Sequence, residues 1–222
     1  MALASVEKAS GPGAGQLLLA SAAGHGSAAH PYAKACELTS GPQAARNLAD
    51  LLHFLCTLHG RYPGVVDHAA GRVADRKAGA WLALAAEAFA AERTYLARLA
   101  VLAGPVPSTP GAADSDSVVR SQRHAIEMLA LSERNGCALG SAMAVVLDWA
   151  AIRRPLDAAA VRLGVEAPAY AFADQQAIAA VADDFAASAG IRRALLFGAE
   201  QILVQHYGLW DLLESRQQAR SA

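Results

Sequence analysis

A chain of 222 residues is long enough for one domain with a sizeable core, or at most two small ones. Hydrophobic residues make up 54% of it, and Ala and Leu dominate over β-branched types, which favours helix over strand. A net charge of −1 with 18% charged residues gives no electrostatic reason to expect nucleic acid or an anionic membrane as a partner. The three cysteines, without CxxC spacing, suggest neither a disulfide framework nor a zinc knuckle.

Residues 1–38 are rich in Ala, Gly and Ser and contain "SGPGAG" and "GHGS". Such a segment offers little side chain to bury per ordered residue, so it reads as a mobile arm with at most a helical turn near "QLLLA". Glu7 and Lys8 stand where a secretory signal would cluster positive charge, so a cytoplasmic protein is expected. A single helical-bundle domain then spans 39–216, with 217–222 as a frayed C-terminus.

Thr39 or Ser40 caps, and Pro42 opens, a first helix over 41–61 that stops at "GRYPG". A second covers 65–103, with Gly71 and Gly79 as candidate break points, and the prolines of "GPVPSTPG" form a firm connector after it. A third covers 115–153 and includes Asn135-Gly136; Arg154 before Pro155 ends it. A short helix follows at 156–163, and a last stretch at 171–216 divides at Gly190. The most apolar window, Cys137 to Ile152, is shorter than the ~20 residues of a membrane span and contains Asp148, so it reads as a buried helix.

Each long helix carries an apolar stripe at helical spacing. The stripes are Leu48, Leu52, Leu55 and Leu58; Trp81, Ala85, Phe89, Leu96 and Leu99; Ile126, Leu129, Gly136, Gly140, Met143 and Leu147; and Leu195, Ile202, Leu209 and Leu213. Four such stripes closing on one another make an all-α helical bundle with extra short helices, of which a ferritin-like bundle is one form. The series Gly136, Gly140, Ala144 lets a neighbouring helix approach closely. Ala138, Ala142, Val145 and Trp149 lie behind the third stripe, which puts that helix at the centre of the bundle or at a subunit interface.

Four polar residues intrude on these stripes: His59, Glu92, Glu133 and His206. One per helix, two carboxylates and two imidazoles, is the donor set of a carboxylate-bridged iron or manganese site. The ferritin-like pattern needs Glu-x-x-His, which this chain lacks. At 1.5 Å per residue the two Glu would miss each other by about 10 Å in an antiparallel hairpin. The competing reading pairs each Glu with an arginine, from Arg93, Arg98, Arg123, Arg134 or another helix, and each His with a core hydrogen-bond partner. His59 or His206 as an axial haem ligand is a third, weaker reading. His124 and Glu127 point away from the core as a solvated local pair. No phosphate-binding loop or nucleophile elbow occurs, and "GPGAG" follows no strand.

"RNLADLLHFLCTLHGRYPGVVDHAA" and "RHAIEMLALSERNGCALGSAMAVVLDW" resemble segments of an uncharacterised alphaproteobacterial family of small all-helical proteins. The resemblance implies a bacterial, single-domain protein and says nothing about mechanism. Two-sided apolar helices without a recognisable catalytic set give the expectation of a non-enzymatic interaction or small-ligand-binding module, with a protein partner or a homo-oligomer possible. The alternative is a ferritin-like metal protein or oxidoreductase using Glu92, Glu133, His206 and His59.

Overall fold

A computed structural model describes residues 11–221, in which the elements follow in the order α1 (Ala14–His25), two 3-10 turns (Ser27–Ala29 and Tyr32–Lys34), α2 (Cys36–Thr39), α3 (Ala44–His59), α4 (Val65–Arg72), α5 (Arg76–Leu102), α6 (Ala112–Ala130), α7 (Cys137–Leu163), α8 (Gln175–Phe185) and α9 (Ala189–Ser221). The fold is all-α, and no strand occurs among the described residues. No helix there is long and apolar enough to cross a membrane.

The apolar stripes read from the sequence are the interior: the named leucines and aromatics of α3, α5, α6 and α9 are all buried. α7 is the central element. Every residue from Cys137 to Trp149 is buried, including both the stripe and the residues behind it, and α7 packs against α1, α3, α4, α5, α6 and α9. Central burial thus accounts for its two apolar sides.

α7 and α9 meet backbone to backbone. A Cβ on Gly140 would lie 1.9 Å from the Leu195 carbonyl oxygen, and one on Gly198 would lie 2.2 Å from that of Cys137. Glycine is required on both helices for this approach, which is the packing role expected of the small-residue series.

Several boundaries differ from expectation, each for a local reason. The third helix is two helices: α6 ends at Ala130 and α7 begins at Cys137. The turn is made at Asn135-Gly136, where Gly136 takes φ 102°, a left-handed conformation that glycine adopts without penalty. Pro155 lies inside α7 rather than ending a helix, so 154–163 continues the same element. Burial of Ile152, Pro155, Leu156 and Ala159 outweighs the pre-proline preference, and Gly164 at φ 67° supplies the stop. The second helix breaks at 73–75, not at Gly71 or Gly79; Asp75 caps α5 by accepting from the backbone N–H groups of Lys77 (3.0 Å) and Ala78 (2.9 Å). The last stretch divides at 186–188, just before Gly190, and begins only at Gln175.

The N-terminal stretch has defined secondary structure. Residues 14–39 are helices and turns packed on the bundle, with Leu18, Ser27 and Leu38 fully buried; residues 1–10 of the expected arm lie outside the described residues. Glycine permits close approach here: a Cβ on Gly15 would meet the Ala179 carbonyl oxygen of α8 at 2.3 Å. At the other end α9 does not fray at 217 but runs to Ser221, held by Arg216 and Arg220 on the buried Asp50 of α3. Ala222 lies outside the described residues.

Gly140→Ala is expected to cost about 3 kcal/mol or more, because rigid backbone faces the added methyl. Gly71→Ala, with nothing within 4 Å, is expected to leave stability unchanged or raise it by up to about 1 kcal/mol. Urea denaturation of the two variants checks the contrast.

Candidate functional site

Two features have the chemistry of a site: a chain of buried polar side chains through the bundle, and a cleft at the end of α3. The buried chain begins at the first 3-10 turn. The Ser27 backbone N–H donates to Asp148 Oδ1 (2.7 Å), and the Ser27 hydroxyl donates to Asp148 Oδ2. The His206 Nδ1–H donates to the same Oδ2 (2.7 Å), and His206 Nε2 faces His59 Nε2 at 2.8 Å. Ser27, His59, Asp148 and His206 are all buried. Gly26 makes the first contact feasible, since a Cβ there would stand 2.4 Å from Asp148 Oδ1.

Asp148 accepts at His206 Nδ1, and the two Nε2 atoms, at hydrogen-bond distance, share one N–H between them. Phe89 and Trp149 present edges to the His59 ring, with ring-centroid distances of 6.1 and 5.6 Å. Burial, then the neighbouring His206 and Arg93, hold His59 well below the usual histidine pKa, so it is neutral near pH 7.

Trp149 joins this chain to a second cluster. Its indole N–H donates to Glu92 Oε2 (2.9 Å), and Arg153 Nη1 donates to Glu92 Oε1. Arg153 also donates from Nε to Asp157 Oδ1 (2.6 Å) and from Nη2 to the Pro168 carbonyl (2.6 Å), while the Tyr95 hydroxyl donates to Asp157 Oδ1 (2.9 Å). Burial pushes Glu92 above the usual carboxylate pKa, against the downward pull of Trp149 and Arg153.

The four residues singled out as a metal set are thus dispersed. His59 and His206 touch each other, Glu92 is taken up by Trp149 and Arg153, and Glu133 is exposed in the turn between α6 and α7. Among the described residues no group of three or more His, Cys, Asp or Glu side chains is placed to hold a metal ion. The arginine partner expected for Glu92 is present, but it is Arg153 of α7 rather than Arg93, Arg98, Arg123 or Arg134. Arg93 instead pairs with Asp67 (2.6 Å). Ser27, Asp148 and Arg153 were not identified from the sequence. Asp148 did carry a signal, as the one charge in the most apolar window of the chain.

The cleft, of about 350 Å³, lies between the α3–α4 turn and α6. Leu58, Val65 and Ile126 form its apolar wall; Arg61, Arg123 and Glu127 stand at its rim. The turn is braced from below. Gly64 N–H donates to Asp67 Oδ2 (2.8 Å), which also accepts from Arg93, and the Arg93 guanidinium lies 5.5 Å from the Tyr62 ring centroid.

Because folded His59 resists protonation while the unfolded imidazole titrates near its ordinary value of about 6.5, the unfolded state binds more protons below that pH. Stability is therefore expected to fall on acidification from about pH 6.5, by up to ~1.4 kcal/mol per pH unit for this group. His59→Gln is expected to flatten that slope. Thermal unfolding from pH 7.5 to 5.5 checks both, and an unchanged slope in the variant would contradict the assignment.

No curated protein and no solved structure matches the chain. A family of unknown function, DUF6975, matches residues 22–221, from the end of α1 to the end of α9 and well beyond the two blocks that suggested a family. The chain belongs to that family.

Proposed function

We propose that the protein is a non-enzymatic binding module that takes a small ligand in the cleft between the α3–α4 turn and α6. One observation carries this reading: an apolar wall and a small set of charged groups converge on one concavity within the ~300–1,000 Å³ range of small-molecule sites. The interior supports it from the other side. Glu92, Asp148, Arg153 and His206 are taken up by bonds to one another and to Trp149, Ser27 and His59. The Cys56 thiol, half-buried, is pushed up to about 11 by burial, which blunts it as a nucleophile. The bracing of the α3–α4 turn means that the cleft wall is held in shape before a ligand arrives, so little ordering cost falls on binding.

Fluorescence titration with the neutral probe N-phenyl-1-naphthylamine tests the reading. Leu131 borders the cleft and is exposed, so Leu131→Trp narrows the mouth without entering the core. Saturable one-to-one enhancement, weakened at least about tenfold by Leu131→Trp, is the expected result, since that factor is ~1.4 kcal/mol of lost contact. Absence of enhancement, or enhancement indifferent to the variant, would reject the cleft as the site.

A further inference from the structure

We infer that the cleft takes a small monoanion with a compact apolar body, its acidic head between Arg61 and Arg123 and its body against Leu58, Val65 and Ile126. This rests on the cleft being a ligand site.

The argument begins at Arg123. Its side chain on α6 is 29% exposed, yet its Nε is shut off from solvent and has no hydrogen-bond partner. The nearest carboxylate oxygen, Glu127 Oε1, stands 3.3 Å from that nitrogen but off the line of a hydrogen bond. A charged donor withdrawn from water without an acceptor is costly, and a turn of this partly exposed side chain that brings Nε to a ligand oxygen removes the cost.

Arg61 offers the second donor. Its Nη1 lies 3.9 Å from the same Glu127 oxygen, and its side chain is 70% exposed, so it is free to turn toward a new acceptor. One carboxylate thus faces two guanidinium groups and makes a good hydrogen bond to neither. The rim keeps one unneutralised positive charge. Two guanidinium groups flanking one point suit a planar carboxylate, which accepts two parallel charge-assisted bonds. A cation would be repelled there, and a neutral head would leave the charge unpaired.

The apolar wall sets the body. Leu58, Val65 and Ile126 are each nearly buried and present only their outer edges to the cleft. A space of about 350 Å³ has room for about a dozen groups of water's ~30 Å³, which is the size of a medium-length alkyl or single-ring carboxylic acid.

Displacement of bound N-phenyl-1-naphthylamine by octanoate, 1-octanol and octylamine at pH 7.5 tests the inference. In each case direct binding is also followed by methyl shifts of Ile126 and Val65 in the full-length chain. Octanoate is expected to bind at least about tenfold tighter than either competitor, the effect of one charge-assisted hydrogen bond. Arg123→Gln is expected to abolish that preference. Glu127→Gln is expected to tighten octanoate alone, by removing the competing carboxylate. Equal binding of all three compounds, with Arg123→Gln without effect, would overturn the ligand class and leave the cleft standing as a site. Failure of every probe to shift the cleft methyl groups would overturn both.

Discussion

The burial of α7 on every side governs the rest of the molecule. A helix with no face toward water over Cys137 to Trp149 must find a protein partner for each polar group it carries. Asp148 finds Ser27 and His206, the Trp149 indole finds Glu92, and the Ser141 hydroxyl donates back to the Cys137 carbonyl (2.9 Å). A turn beyond, Arg153 finds Glu92, Asp157 and Pro168. These bonds reach elements that the apolar contacts alone would leave free to slide: the turn after α1, α9 and α5. A hydrogen bond is satisfied at one register, whereas a leucine is nearly as well buried one residue along. The polar groups therefore contribute more to choosing one packing than to total stability, where desolvation offsets much of their gain.

The same bonds shape the surface at the cleft. Three neighbouring residues at the C-terminal end of α3 face different ways: His59 turns inward to His206, Leu58 contributes to the cleft wall, and Arg61, just past the helix, stands at the rim. Fixing His59 fixes the orientation of the last turn of α3 and hence where Leu58 and Arg61 sit. On the other side, Arg93 of α5 holds Asp67 and faces Tyr62, so the α3–α4 turn is anchored to α5. Interior polarity and the cleft wall meet in one short stretch, "LHGRYPG".

What was legible in the sequence followed from periodicity. Leu48 through Leu58, Trp81 through Leu99 and Leu195 through Leu213 lie where 3.6-residue spacing puts them, and Gly140 does the close-packing work expected of it. What was not legible depends on neighbours distant in sequence. Gly15 and Gly26 read as loop composition, but one lets α1 touch α8 and the other lets a carboxylate reach a turn. Pro155 carries a real local preference that long-range burial overrides. Asn135-Gly136 was the turn its composition announces, discounted because apolar spacing continued through it. For the polar residues, helical phase showed that His59, Glu92 and His206 point inward. It gave no information on which would meet, because their partners Asp148 and Arg153 come from another helix; Glu133 was assigned an inward phase only because α6 and α7 were joined on paper.

The most direct test of the central claim is nuclear magnetic resonance of the imidazole nitrogens in histidine-labelled protein at pH 7.5. A measurable scalar coupling between the Nε2 nitrogens of His59 and His206, with one of them protonated and the other bare, is the result this account predicts. Two uncoupled rings, each exchanging its proton with solvent, would show that the interior is not closed by paired polar groups.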